Sequence, residues 1–576
     1  MKTKDYFLTL SVISLPVGFI FISSYEKKLY LASFFFLFLI IILRNYYFIE
    51  GSQKLTDSKI YNSKYIYVFL FFFLLITQNK YLNIETITWD ISSYLVASNE
   101  IDFGNIPLET QWESKGPLTI YIFSFLSKLV NSNYVLFKIL NDCLMFITIL
   151  ITVLTFKKVE KRNFINFMSA AFIISVFSIQ WYVSEFTEFY CLPFIVLSNY
   201  YLLTKNDKRY LLIGFLFGLS FLINQGSILF IFPIVFMIYQ NVININNFAR
   251  SLGNIFLGFL LPNLFFLVLY FRKGILDIYL ANYIQIPLGY TGENASSFYE
   301  LRVFLREISY LNIFTYFFIV LVIFFFILNL FYKKESKSSD SYSLINLNII
   351  TALFYYFLAG HNFYHHLIYF LYFLSFLLIQ ITKRNQIVLL SSLLFLSCSS
   401  AFLNSFQDSI GNLKDIDQTY ENYPLRNLSE KIDSHFESDY TILALDNVLV
   451  LHYLDKINFS YIVHPTNHYQ DYITDVLIDL EQIKENNIPY LFSQKPDVII
   501  CNTKSIDAGG RVMSTDPSNY AVNIEENMVN LCDIQNLSND YYQLETLEFR
   551  TDPNLNYYYD PYKEMNIFIK KINSNP

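Results

Sequence analysis

Residues 87–121 read ITWDISSYLVASNEIDFGNIPLETQWESKGPLTIY. This polar, acid-bearing island stands between long runs of Phe, Leu, Ile and Tyr, and what surrounds it decides the class of the chain. Of 576 residues, 54% are hydrophobic and 15% charged, against about 45–50% apolar and about 25% charged in a soluble globular protein. The apolar runs recur at about 20 residues, the length that crosses a bilayer as a helix. The expected class is therefore a polytopic α-helical membrane protein. The first apolar run has no small-residue cleavage site and is soon followed by a second, so it is expected to be a retained helix. No nucleic-acid partner is expected.

Thirteen spans account for the hydropathy, at about 6–23, 29–48, 65–81, 133–156, 164–183, 186–203, 210–223, 227–240, 251–271, 312–332, 344–360, 364–382 and 386–403. Lysine and arginine test that count, because short cytoplasmic loops are enriched in them. With the N-terminus inside, Arg44, Lys157, Lys158, Lys161, Arg162, Lys205, Lys208, Arg209, Arg250, Lys333, Lys334, Lys383 and Arg384 all fall on the inner side. Four features then face outward: the opening island (about 82–132), the loop Arg272–Leu311, the turn His361–His366, and everything after residue 403. Within the island, Pro117–Val130 is apolar but too short to span, as an interfacial helix would be.

The chain divides at that last boundary. From Asn404 onward there are 27 acids and 12 bases, a net −15, which leaves +8 for the first 403 residues. The expected organisation is a membrane domain over 1–403 and an extracytoplasmic α/β domain over 404–576. In the latter, Tyr440–Leu445, Phe459–Val463, Asp497–Cys501 and Asn566–Lys570 are strand-like, and Ile473–Lys484 has helical spacing. No Gly-rich phosphate loop follows the first strand. Cys501 and Cys532 in this domain leave a disulfide open, and no cysteine spacing suggests a metal.

Asp90 stands just outside the third span, and a carboxylate there can serve as general base towards an acceptor hydroxyl or amine. The plainer alternative is that it caps the helix beginning near Ile91. Glu113 and Lys115 precede Gly116-Pro117; such a lysine can neutralise a lipid-linked phosphate, or merely snorkel to the interface. Glu185 and Glu188 mark another outer helix junction. Arg302 and Arg306, four apart, could grip phosphate or pair with Glu300 and Glu307. His361 and His365 offer donors or ligands, although the turn expected between them makes a shared metal doubtful.

The order Asp90-x-x-x-Tyr94, then Gly104 and Pro107, then Trp112-Glu113-x-Lys115-Gly116-Pro117-Leu118 resembles the GT-C membrane glycosyltransferases. It is most similar to the branch holding the protein O-mannosyltransferases and the aminoarabinose–lipid A transferases. Ser184–Glu188, the short helices around Gly214, Gly218 and Asn224-Gln225-Gly226, and the segment His361–Tyr369 extend the likeness. The chain departs from the family pattern in having Ile91 after the aspartate, Gly after Lys115, and two extra spans at the start.

The resemblance implies transfer of a sugar from a polyprenyl-phosphate donor to a glycan, lipid or protein acceptor at the outer face of a bacterial cytoplasmic membrane. Asp90 would be the base and Lys115 would stabilise the leaving phosphate, with Glu113 completing the catalytic set. Tyr94, Glu185, Glu188, Arg302, Arg306, His361 and His365 would bind substrate. A divalent metal between Glu113 and a later acid is conceivable. Competing readings are a polysaccharide polymerase or ligase, a lipid-glycan transporter and an envelope scaffold. A transporter would place polar groups in mid-membrane; here the acids gather at the outer ends of spans.

Overall fold

A computed structural model describes residues 64–85, 88–159, 163–179, 182–203, 209–241, 244–292, 313–332, 340–358, 364–380, 384–502, 537, 540–547 and 565–571. The first two expected spans lie outside these, as do Arg302, Arg306 and His361. Helix α1 (Lys64–Gln78) leads to the island, which folds as α2 (Trp89–Asn99), an irregular loop, and α3 (Pro117–Leu129). Then come α4 (Tyr134–Val159), α5 (Asn163–Val176), α6 (Thr187–Leu203), α7 (Arg209–Ile223), α8 (Ile231–Asn241) and α9 (Ile245–Lys273). After α9 the chain forms α10 (Leu276–Leu280), a π-helical turn at Ala281–Gln285, and α11 (Ile286–Gly292). The bundle closes with α12 (Ile313–Tyr332), α13 (Asp340–Leu358), α14 (Ile368–Leu374) and α15 (Arg384–Lys414).

Among the described residues, three stretches are long and apolar enough to cross a membrane: Tyr134–Thr155, Ile245–Lys273 and Leu389–Lys414. Shorter apolar helices surround them, including Ile66–Tyr81, Phe164–Val176 and Ile313–Ile327. On α9 the rings of Phe256, Phe265 and Phe271 are 60%, 65% and 71% exposed. Such a stripe would be unstable against water and is suited to lipid, so this is an integral membrane protein. The segment expected to be too short to span is helical as α3, with Phe125 and Leu129 exposed on it and Phe123 and Leu126 buried.

Backbone contact between α7 and α9 fixes the centre of the bundle. A Cβ at Gly214 would stand 1.9 Å from the Ile255 carbonyl oxygen, and one at Gly258 would stand 2.0 Å from that of Leu211. Small residues let two membrane helices approach this closely, as Gly214-x-x-x-Gly218 suggests. The C-terminal end of α7, at Ile223, is positioned by that contact, and it later supports the site.

The C-terminal region begins with α16 (Ile416–Glu421) and α17 (Pro424–Asp433), followed by β1 (Ile442–Ala444) and α18 (Leu449–Tyr453). Next are α19 (Asp471–Asp479), α20 (Asn487–Ser493), β2 (Val498–Asn502), β3 (Tyr541–Leu547) and β4 (Met565–Lys570). The sheet order is β1-β2-β4-β3, with β1 and β2 parallel and the other pairs antiparallel. Ile442, Leu443, Ile499, Ile500, Ile567 and Phe568 are all buried, so the sheet is covered on both faces. Cys501 on β2 is disulfide-bonded, while Cys143, Cys191 and Cys398 are free.

One expectation for this region changes. Phe459–Val463 is no sheet strand; it forms a single parallel bridge, Ile462 to Trp112, with the loop between α2 and α3. The region also bonds directly to the bundle. Trp112 N–H donates to the Tyr461 carbonyl at 2.6 Å, and Gln111 Nε2 donates to that of Asn458 at 3.0 Å. Glu85, beyond α1, accepts from the Leu425 and Arg426 amides at 2.7 and 3.0 Å, supplying the carboxylate that the N-terminus of α17 lacks locally.

The loop between α2 and α3 is itself held by one buried acid. Glu100 accepts from the amides of Leu108 (3.0 Å), Thr110 (2.9 Å) and Gln111 (3.1 Å), and from the Thr110 hydroxyl (3.0 Å). An amide nitrogen cannot accept, so Glu100→Gln leaves one side of this staple unmade. The expected cost is about 1–3 kcal/mol for each buried donor left unsatisfied. It should be read as a lower midpoint of thermal unfolding in detergent, with Glu109→Gln, at the exposed salt bridge to Lys273, as the mild control.

Candidate functional site

The helix that carries Asp90 is capped by another residue. Thr88 is the N-cap of α2, its side chain accepting from the Asp90 amide at 3.2 Å. The plainer reading of Asp90 as a cap therefore fails, and its carboxylate is left for other partners. Oδ1 lies 3.1 Å from Nε2 of His464, and Oδ2 lies 4.0 Å from Nε2 of His365. Burial acts to push the Asp90 carboxyl up. The His464 hydrogen bond, with the charges of His365 and Lys115, outweighs it and holds the group below the usual carboxylate range. The side chain remains 25% exposed, so the group is reachable.

Glu113 and Lys115 reach the same place through a tightly braced turn. The Gly116 amide donates to the Ile223 carbonyl at 3.1 Å, at the end of α7, and Gln225 Nε2 donates to that of Ser114 at 3.1 Å. Asn282, in the π-helical turn, donates to the Lys115 carbonyl at 3.5 Å. A Cβ at Gly116 would lie 2.0 Å from the Leu222 carbonyl oxygen and 2.4 Å from the Tyr283 hydroxyl. Only glycine fits there, and Pro117 then begins α3 at its first turn. Glu113 is buried: Oε1 accepts from the Ser114 amide and hydroxyl at 2.8 and 3.0 Å, and Oε2 has no hydrogen-bond partner among the described residues. Burial pushes its carboxyl up, and the Asp90 charge adds to this.

Glu188 lies in the first turn of α6 and is fully buried. Its Oε1 accepts from Tyr355 Oη at 3.1 Å and Asn224 Nδ2 at 3.3 Å. The His365 ring stacks on Phe186 at 4.8 Å and meets His366 edge-on at 4.5 Å. One ligand atom from each of Glu188, His365 and His366 lies within 4.8 Å of the others. This carboxylate and two imidazoles form a donor set suited to a borderline ion such as Zn²⁺ rather than to Mg²⁺ or Ca²⁺. Among the described residues this three-residue grouping does not include Glu113, which the sequence offered as a metal ligand.

Other expectations part company here. Glu185 is buried but belongs elsewhere: with Ser184, whose hydroxyl donates to Asp142 at 2.7 Å, it sits beside Lys138 and Asp142 on α4. Tyr94 is 1% exposed and packs edge-on to Phe123 at 5.4 Å. Burial, and then the charges of Asp90, Glu113 and Glu188, push its phenol up, so it is a neutral donor beneath the site rather than part of its surface. His464 escaped the sequence reading altogether. The only local signal was His464-Pro465-Thr466-Asn467-His468, two histidines in a polar turn after an apolar segment.

No family model matches the chain, and no curated protein matches it. Among solved structures it is similar to the Archaeoglobus fulgidus oligosaccharyltransferase tethered with an acceptor peptide containing the NVT sequon. The identity is 12% and the TM-score 0.42, over 86% of this chain and 74% of that one.

Two measurements check the site. Gly116→Ala should displace Lys115 and lower binding of a polyprenyl phosphate at least tenfold, read by tryptophan quenching in detergent. Protein purified without chelator should carry about one equivalent of a transition metal by elemental analysis. Glu188→Gln or His366→Ala should lower that content, whereas Glu185→Gln should leave it unchanged.

Proposed function

We propose that the protein is a membrane glycosyltransferase of the GT-C kind, moving a sugar from a polyprenyl-phosphate donor to an acceptor at the outer face of a bacterial cytoplasmic membrane. The observation that carries this is Asp90: an ionised, partly exposed carboxylate at an outer helix start, one oxygen held by a histidine, with Lys115 close enough to lower its pKa. The sequence resemblance around Asp90, Lys115 and Gly116-Pro117 points to the same chemistry. The disulfide at Cys501 fits a C-terminal domain outside the cytoplasm.

In the reaction, Asp90 takes the proton of the acceptor hydroxyl or amine as that atom bonds to the anomeric carbon. The bond from the anomeric carbon to the phosphate oxygen breaks, and its electron pair leaves with the lipid phosphate. Lys115 offsets the charge that gathers on that oxygen, an effect stronger in the transition state than in the ground state and to that extent catalytic. Glu113 stays on the floor of the site, where burial favours its protonated form. Glu188, His365 and His366 would hold a metal, which when bound supplies a positive charge for the phosphate.

Asp90→Asn should lower transfer from a polyprenyl-phosphate sugar by about 10²–10⁴-fold, with protein level and detergent elution unchanged. Transfer by the Asn variant at the parent rate would falsify the assignment of the base. Orientation is checked separately. A cysteine in place of Phe103, which is 57% exposed, should react with an impermeant thiol reagent applied to whole cells. A cysteine in place of Lys157 should react only after permeabilisation. The reverse pattern would put the site on the inner face.

A further inference from the structure

The contact between Asp90 and His464 joins residues 374 apart in the chain, one on the membrane bundle and the other in the C-terminal domain. Its geometry assigns the two groups different tasks. The Thr466 amide donates to His464 Nδ1 at 3.3 Å, and the Thr466 hydroxyl lies 3.0 Å from the same nitrogen. A backbone N–H can only donate, so Nδ1 carries no proton, and the neutral ring bears its hydrogen on Nε2. That hydrogen points to Asp90 Oδ1. His464 thus has one nitrogen committed to its own turn and the other to the carboxylate, and neither is left for a substrate proton. Oδ2 of Asp90 is left facing the site, 4.0 Å from His365 and so beyond a hydrogen bond.

The backbone explains how His464 is delivered so accurately. Trp112 and Ile462 pair in parallel, the Trp112 amide donating to the Tyr461 carbonyl and the Val463 amide to the Trp112 carbonyl at 3.3 Å. Because the two segments run in the same direction, both leave the bridge on the same side. Glu113 and Lys115 emerge from one, and His464 emerges two residues along the other. The Trp89 ring meets His464 edge-on at 6.3 Å, and the His468 side chain behind it is buried.

We infer that His464 is the positioning residue for Asp90, so that the C-terminal domain is a working part of the transfer site and not an appended module. This rests on the glycosyltransferase reading above for its consequence in rate, though not for the contact itself. Holding Oδ1 fixes the carboxylate rotamer and aims Oδ2 at the acceptor. Displacing the domain would release it.

The test uses the full chain with two substitutions. His464→Ala removes the donor, whereas His464→Gln can place an amide N–H where Nε2–H stood. With a polyprenyl-phosphate sugar as donor, His464→Ala should lose about 10–100-fold in kcat with KM for the donor unchanged, the usual scale for removing a group that orients a reacting one. His464→Gln should recover most of that loss. Wild-type kcat in His464→Ala, or a His464→Gln variant as slow as Ala, overturns the proposal.

A second measurement is independent of turnover and covers an Ala variant that fails to fold. In wild-type protein labelled with ¹⁵N-histidine, the His464 resonances, identified by their loss in His464→Gln, should report a neutral ring protonated at Nε2. They should shift on Asp90→Asn. The opposite tautomer, or resonances indifferent to Asp90→Asn, overturns the contact whether or not sugar is transferred. If the expected tautomer and shift are found in a wild type that transfers no sugar, the positioning contact stands and the glycosyltransferase reading falls.

Discussion

The parallel pairing of Trp112 with Ile462 is the constraint on which the site depends. It is only one bridge, yet it fixes the direction in which two distant segments leave a common point. Trp112 is fully buried at that point, and Gln111 beside it exchanges hydrogen bonds with Asn458, donating from Nε2 and accepting the Asn458 amide at 2.8 Å. The bridge is therefore shielded from water, where its hydrogen bonds are hard to replace. The approach of His464 to Asp90 is set from here.

A second layer of support comes from the bundle. The glycine contacts of α7 against α9 place the end of α7, and Gly116 rests on the Leu222 and Ile223 carbonyls at that end. Lys115 is thus referred to the membrane helices while His464 is referred to the C-terminal domain. Asp90, on α2, lies between them. Glu100 at the other end of α2 binds the loop that returns to Trp112, so one short helix carries both the Asp90 carboxylate and the staple of the loop that surrounds it. A rigid element of this kind is what a group needing placement to a fraction of an ångström requires.

Charge is separated into two buried clusters rather than pooled. Asp90, Glu113, Lys115, Glu188 and the paired histidines form one. Lys138, Asp142 and Glu185, joined to the C-terminal region by the Lys138 contact with Tyr423 at 3.4 Å, form the other. Glu185 and Glu188 are three residues apart and go to different clusters because α6 starts between them, at Thr187, and its first turn carries Glu188 inward to Tyr355 and Asn224. Buried carboxylates need separate partners, and dividing them in this way avoids stacking like charge in one low-dielectric place.

Much of this was legible in the residues themselves. Apolar runs of spanning length, the alternation of Lys and Arg, and the acidic C-terminal stretch follow from local composition, and each element's hydropathy is a property of consecutive residues. Asp90, Lys115 and Gly116-Pro117 could be picked out because a polar island among apolar runs is itself a local anomaly. What no local pattern could decide was partnership. Thr88 takes the cap and frees Asp90, His464 arrives from 374 residues away, Glu185 turns aside, and Phe459–Val463 pairs with a loop instead of the sheet. Periodicity reports which face of an element is apolar. It does not report which distant donor completes a buried carboxylate, because that is settled only when the C-terminal region packs against the loop between α2 and α3.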